Sequence, residues 1–307
     1  TQKICEPSIL SDLFQPVFDL YTPSPFGILF QEQLQSDWQI FSKEITARQQ
    51  QKLSVDISSI KTFGNQKVIS RFEPSTSFID KWDIFTEELQ HENRFFPKKA
   101  IKHNQFQELI SYLAMKKKDN PKLLYRARVN RNVSPYKVSE MGKPPKEKAS
   151  AGRANPQGIS YFYLSSDFKT AISETRPYKS ESVCVAKFRV SKKANIIDLR
   201  EPKKTICPIG MDEDSLLLLY KEHMPFLGHL GYALSIPVLP YKKDLDYLPT
   251  QYLCELIKDQ NYDGIAFKSS LAKGDNYVIF TDSLLTGTKI ETYAIEDAVI
   301  KPVKVFS

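Results

Sequence analysis

Cysteine and histidine are both scarce, with four of each among 307 residues. The cysteines stand at positions 5, 184, 207 and 254, without paired spacing. That argues against a disulfide scaffold or a Cys-x-x-Cys zinc site and fits a reducing cytoplasm. His223 and His229 are off metal-ligand register, so no metal is implied, and both are expected to pack or cap. Glycine is sparse at 11 residues. None falls in a Gly-x-Gly-x-x-Gly or Walker loop, which argues against a reducing dehydrogenase and a nucleotide hydrolase. A Gly-x-Ser-x-Gly nucleophile elbow is missing as well. No apolar run is long enough to span a bilayer and no leader pattern is present. The chain begins at Thr1 rather than a methionine, so a segment upstream is allowed for and a motif missing at this end carries little weight. Internal repeats and low-complexity tracts are lacking.

What is present is a chain long enough for two ordinary domains, 41% hydrophobic and 26% charged, the profile of a folded protein. The net charge is +7, which favours anionic ligands in general. The lysines are dispersed (Lys98-Lys99, Lys116-Lys117-Lys118, Lys203-Lys204, Lys242-Lys243). No aromatic RNA-binding motif accompanies them, so most of this charge reads as solvated surface and nucleic acid is not an expected partner.

Apolar spacing predicts helices over Ser11–Tyr21, Pro25–Phe41, Ile45–Ile57, Phe78–His91 and Asn104–Lys116, the last opened by Asn104 as N-cap. Trp38 and Trp82 fall at helical spacing and read as core anchors. A lysine run ending in Pro121 marks the best boundary, giving a helical domain over 1–118 and a second domain over 119–307. After it Leu123–Val129 alternates like a strand. Ser182–Val190 and Ala194–Leu199 read as a hairpin or crossover pair. Asp214–Leu230 is a long apolar helix, broken or kinked at Pro225, and Thr250–Gln260 is another helix. Gly264–Ser269, Asn276–Thr281, Lys289–Tyr293 and Ala298–Val305 complete the strands. The fold class is α+β: a helical bundle followed by a mixed-sheet domain.

The second domain centres on Ser150–Pro177, where the loop Gly152-Arg153-x-Asn155 enters an aromatic strand, Tyr161–Leu164. A short helix capped by Ser166 or Asp167 follows and ends near Glu174. Two further stretches are candidates to face it: Tyr125-Arg126-Ala127-Arg128, and Gly264–Ser269 followed by Gly274–Phe280. These pieces, with Tyr247–Gln251 ahead of the last helix, resemble in order and spacing the RES family, named for an arginine, a glutamate and a serine. The resemblance covers about 122–280 and matches Arg126, Glu174 and Ser269 to those three residues.

The resemblance implies an ADP-ribosyltransferase-like fold that consumes NAD, often as a bacterial toxin or phage-defence effector held inactive by a separate antitoxin. It implies NAD as substrate and inorganic phosphate as acceptor. Water or a protein or nucleic-acid acceptor stays open, as does an inactive binding module. The helical half resembles the HEPN-like domain found ahead of some RES domains. Arg94 and His103 are too far apart for its ribonuclease pair, so this half reads as scaffold or dimerisation unit. Its large apolar residues, among them Trp38, Phe41, Trp82, Phe85, Phe95 and Phe96, exceed what five short helices need, which suggests a homodimer.

Nicotinamide is already a good leaving group, so a single carboxylate near the ribose can stabilise an oxocarbenium-like transition state, whereas ordinary glycosidases need two. Glu174 is the candidate; the plain alternative is a surface pair with Arg176 or Lys179. Arg126 and Arg153 suit a pyrophosphate or phosphate, with a surface ion pair as the alternative for each. Gly152 would let backbone approach a ligand, and Asn155 would either fix its loop or contact NAD. Ser269 would orient a ribose or phosphate oxygen, or bond nearby backbone. Tyr136 or Tyr163 would stack on nicotinamide, with a core role as the alternative for Tyr163. Asn276 would tie the site closed.

Overall fold

The computed structural model describes residues 6–58 and 66–297. The strand expected over Ala298–Val305 lies outside them. The chain folds as two compact units, each drawn from several chain segments. The first takes Thr1–Phe85, Lys99–Leu113 and Glu201–His229; the second takes Thr86–Lys98, Ala114–Arg200 and Leu230–Ser307. The first unit therefore begins with the N-terminal segment and also draws in Glu201–His229, well beyond position 118.

The first unit is not purely helical. Helix α1 (Ser11–Phe18) leads into strand β1 (Tyr21–Leu29), where a helix from Pro25 was expected. Pro23 and Pro25 lack the N–H a helix needs. A Cβ on Gly27 would lie 2.0 Å from the Val68 carbonyl oxygen of β2 (Lys67–Ser70), the antiparallel partner of β1. Glycine thus lets the two backbones touch at the irregularity in β1. Helices α2 (Phe30–Trp38), α3 (Ala47–Ser58), α4 (Ser77–Glu87) and α5 (His103–Ser111) follow. The N-cap residue of α5 is Lys102, not Asn104. The helix stops at Ser111 because Ala114 pairs with Ile197 and the Met115 amide donates to the Ile196 carbonyl. Trp38, Phe41, Trp82 and Phe85 are buried within the chain, whereas Phe95 and Phe96 are 85% and 81% exposed.

The second unit holds a seven-stranded mixed sheet in the order β6-β7-β8-β4-β3-β5-β9. Its strands are β3 (Leu123–Val129), β4 (Phe162–Ser165), β5 (Ser182–Val190), β6 (Ile196–Asp198), β7 (Gly264–Lys268), β8 (Asp275–Ile279) and β9 (Leu285–Ala294). Pairing is antiparallel except between β6 and β7. Of the hairpin and crossover expected for the two segments around Ser191–Lys193, the crossover forms, since β6 pairs with β7 and not with β5. Strand β3 pairs with β5 along its whole length but meets β4 only at Tyr125 and Ser165. The sheet therefore splays between β3 and β4.

Helix α6 (Phe168–Glu174) packs on β3, β4 and β5. After α7 (Pro202–Thr205), of the break or kink expected at Pro225 the break does not form. Instead α8 (Glu213–Leu218), a π-helical turn (Leu219–His223) and α9 (Met224–Ser235) run on without interruption. The wider turn stands just ahead of the proline and accommodates its ring and missing N–H. Helices α10 (Lys243–Asp246) and α11 (Leu248–Asp259) follow, the latter burying Leu253, Cys254 and Ile257. Among the described residues no helix is long and apolar enough to cross a membrane.

Candidate active site

A cleft of about 440 Å³ opens in the second unit where β3 and β4 part, lined by Tyr125, Arg126 and Ala127 from one strand and Tyr163, Leu164 and Ser165 from the other. Helix α6 supplies Glu174 at its last position. The helix begins where Asp167 accepts from the Thr170 amide, an N-cap that fixes its first turn. Ser166 fastens that end to β8: its amide donates to the Asp275 carbonyl and its Oγ accepts from the Asp275 amide at 2.9 Å. Gly274 crosses so close that a Cβ there would lie 2.2 Å from Asp167 Oδ2. Helix and strand are thus set against each other at the N-cap, seven residues before the acid.

At the other end of α6, Glu174 Oε1 accepts two hydrogen bonds, from Ser269 Oγ and from Asn276 Nδ2, both at 2.6 Å. Among the described residues none reaches Oε2. Ser269 stands one residue past β7, where its Oγ also accepts from the amides of Leu271 and Ala272 at 3.1 Å each. The hydroxyl proton is thereby turned toward the carboxylate. Asn276 is oriented from behind: Ser165, 3% exposed, donates to its Oδ1 at 3.0 Å, which leaves Nδ2 for Glu174. Short bonds to a carboxylate are the stronger kind. Glu174 does not pair with Arg176 or Lys179; its partners are Ser269 and Asn276.

Arg126 reaches the cleft from β3 with its guanidinium 5.0 Å above the Phe162 ring. Its Nη1 is buried and makes no hydrogen bond among the described residues. Burial, then the nearby Arg128, pushes its pKa down to about 10, so the group is still a cation at neutral pH. Arg153, Arg176, Lys243 and Lys268 also line the cleft, against the single acid Glu174. The chamber is therefore basic, with one fixed carboxylate.

The Gly152–Asn155 loop is braced from inside. Asn155, 3% exposed, donates to the carbonyls of Ser150, Pro156 and Ile159 and accepts from Tyr163 Oη at 2.6 Å. Of the two roles weighed for Asn155, its side chain is spent on the loop. The Tyr163 hydroxyl in turn accepts from the Ala154 amide, and burial raises its pKa well above the ordinary phenol value. Gly152 leaves room for this pair, since a Cβ there would lie 2.6 Å from the Tyr163 oxygen; its closeness serves the protein rather than a ligand. Helix α11 holds the loop from outside, Thr250 donating to the Arg153 carbonyl and Gln251 to that of Gly152. Arg153 donates to the Leu234 carbonyl and lies 6.0 Å from the Tyr247 ring.

Tyr136 is not among the residues lining the cleft. It packs against the sheet core, with the Arg128 guanidinium 4.8 Å over its ring. Sequence reading missed Ser165, Lys243 and the brace from Thr250 and Gln251. The pattern Tyr247–Gln251 drew attention to the last two, but nothing local shows what a helix start will hold.

Residues 123–296 match the sequence model of the RES domain. No curated protein matches the chain. Among solved structures, a chain in the crystal structure of the M. tuberculosis MbcT–MbcA toxin–antitoxin complex is similar at 10% identity with a TM-score of 0.38. That alignment covers 64% of this chain and 94% of the other.

Proposed function

The chain belongs to the RES domain family, its matched segment spanning more than half its length, and on that premise we propose that the cleft binds NAD and cleaves its nicotinamide–ribose bond. The observation that carries this reading is Glu174 held by Ser269 and Asn276 through one oxygen in a chamber whose other charged lining residues are all cations.

As the C1′–N bond breaks, its electron pair goes to the pyridinium nitrogen and neutral nicotinamide leaves. Positive charge develops on the ribose. Glu174 Oε2, which accepts no hydrogen bond among the described residues, faces that charge or accepts from a ribose hydroxyl. The preset position of the carboxylate means little reorganisation is needed during reaction. Arg126 offers an unused N–H to an anionic oxygen, either of the NAD pyrophosphate or of an incoming phosphate. With phosphate as acceptor, one of its oxygens bonds C1′ and yields ADP-ribose phosphate; with water the product is ADP-ribose. Tyr163 lines the wall with its hydroxyl committed to the loop, so it offers ring surface to the nicotinamide. An ADP-ribosyltransferase-like fold accords with this chemistry.

In the cell such a cytoplasmic enzyme would act as a toxin by draining NAD. A separate antitoxin or regulatory protein would then restrain it. The test is incubation of purified protein with NAD, with and without phosphate, and identification of products by mass. ADP-ribose phosphate formed only with phosphate supports phosphorolysis, and ADP-ribose in both arms supports hydrolysis. Intact NAD in both arms overturns the reading.

A further inference from the structure

We propose that Arg200 is a positioning residue for the Glu174 site, acting through strands β7 and β8; this rests on the functional reading above. Arg200 grips Asp198, the last residue of β6, with two arms: Nε to Oδ1 at 2.8 Å and Nη2 to Oδ2 at 2.7 Å. Its remaining nitrogen, Nη1, donates to Asp275 Oδ2 at 2.9 Å and to the Tyr277 hydroxyl at 3.1 Å.

Asp275 and Tyr277 are the two neighbours of Asn276 on β8. Side chains alternate across a strand, so both point to the sheet face opposite the Asn276 amide. Strands β6 and β8 are not adjacent, because β7 lies between them. One guanidinium therefore ties the two flanking strands and fixes β7 in the middle. Both donors to Glu174 depend on that three-strand register: Ser269 directly follows β7, and Asn276 pairs with Phe267. A slip of one residue would turn Asn276 to the wrong face.

The bidentate geometry suits arginine and cannot be reproduced by lysine. The hydrogen bonds to Asp198 outweigh burial and hold Arg200 above the ordinary arginine pKa, so the guanidinium stays charged across the working range. None of its members lines the Glu174 carboxylate, which makes the action indirect.

The experiment compares wild type with Arg200→Lys, Asn276→Ala and the double variant, all in the full chain. Two readouts are taken: steady-state kinetics on NAD, and the NMR signal of the Asn276 side-chain amide, assigned by its loss in Asn276→Ala. Arg200→Lys should lower kcat roughly tenfold with KM little changed, and the double variant should be no worse than Asn276→Ala, since coupled residues are not additive. The Asn276 amide signal should shift or broaden in Arg200→Lys. Asp275→Asn, which removes only one arm, should give the same pattern more weakly and serves if Arg200→Lys does not fold. Additive losses, or an unmoved Asn276 signal in a folded variant, would overturn the proposal. The NMR arm decides it even if wild type leaves NAD intact, an outcome that would sink the functional reading alone.

Discussion

Ser269 and Glu174 lie 95 positions apart in sequence and are joined by a 2.6 Å hydrogen bond. The bond closes a short relay that runs from the amides of Leu271 and Ala272 through Ser269 to Glu174, and from there to Asn276 and Ser165. Each member fixes the orientation of the next, so the carboxylate enters the cleft at one height and one angle.

Replacing Glu174 with Gln keeps the shape and the acceptor facing Ser269 but removes the charge. Turnover of NAD should fall roughly 10²–10³-fold, the loss expected for a principal electrostatic stabiliser, while NAD affinity changes little. Near-normal turnover in the folded variant would exclude Glu174 from the reaction.

Ser165→Ala removes the donor that turns the Asn276 amide. The asparagine can then present either end to Glu174, and a misplaced carbonyl would repel the carboxylate. We expect kcat to drop by about tenfold, the equivalent of one lost hydrogen bond, with a thermal transition close to wild type. A lowered transition with unchanged kcat would reduce Ser165 to a packing role.

Arg126→Lys tests the unused N–H. The charge persists, but a planar fork becomes a point donor, so anion affinity should weaken and KM for phosphate or NAD should rise. The pH dependence carries a separate signature. The depressed pKa of about 10 arises from burial and then from the nearby Arg128, and a bound anion would raise it. Binding near pH 10 should therefore take up protons, and affinity should decline as pH climbs through that value. Calorimetry in buffers of different ionisation enthalpy measures the uptake, which should vanish at neutral pH, where Arg126 is already charged.

Asn155→Ala removes the side-chain donor to the Ser150 and Ile159 carbonyls and the acceptor of the Tyr163 hydroxyl, while the Pro156 carbonyl keeps the Ile159 amide. Leaving a buried polar group unsatisfied costs about 1–3 kcal/mol, so urea unfolding should shift to lower concentration. Tyr163→Phe, which loses only the hydroxyl, should shift it less. If Asn155 acted mainly on NAD, stability would hold and only KM would move.

A homodimer is a further proposal, and Phe95 and Phe96 are its best remaining support because the other large apolar residues cited for it are buried within the chain. Phe95→Ser with Phe96→Ser should convert a dimer to a monomer in light scattering. A wild-type protein already monomeric at high concentration would dispose of the idea.

Much of this site could be read from the chain because its members sit in short, distinctive local patterns. Glu174 ends a helix whose cap is visible at Asp167, and Ser269 and Asn276 stand at the edges of two strands whose apolar content is plain. Arg200 could not be found that way. It follows Asp198-Leu199 in an ordinary turn, and its partners on β8 are 75 and 77 positions away. Nor does the sequence show that Tyr136 packs against the sheet core with Arg128 over its ring rather than lining the cleft. The strand at Tyr21–Leu29 was hidden by apolar residues that also suit helical spacing, and the prolines and Gly27 carried the better signal.

The wide sequence separation between the acid and its two donors has a consequence during synthesis. Glu174 leaves the ribosome well before Ser269 and Asn276 are translated, and β7 and β8 must insert beside β4 and β6 before the carboxylate is fixed. Long-range pairing of this kind forms late. A nascent or prematurely ended chain therefore carries the glutamate without the groups that aim it, and the cell that makes this protein meets the assembled site only after most of the chain has been made.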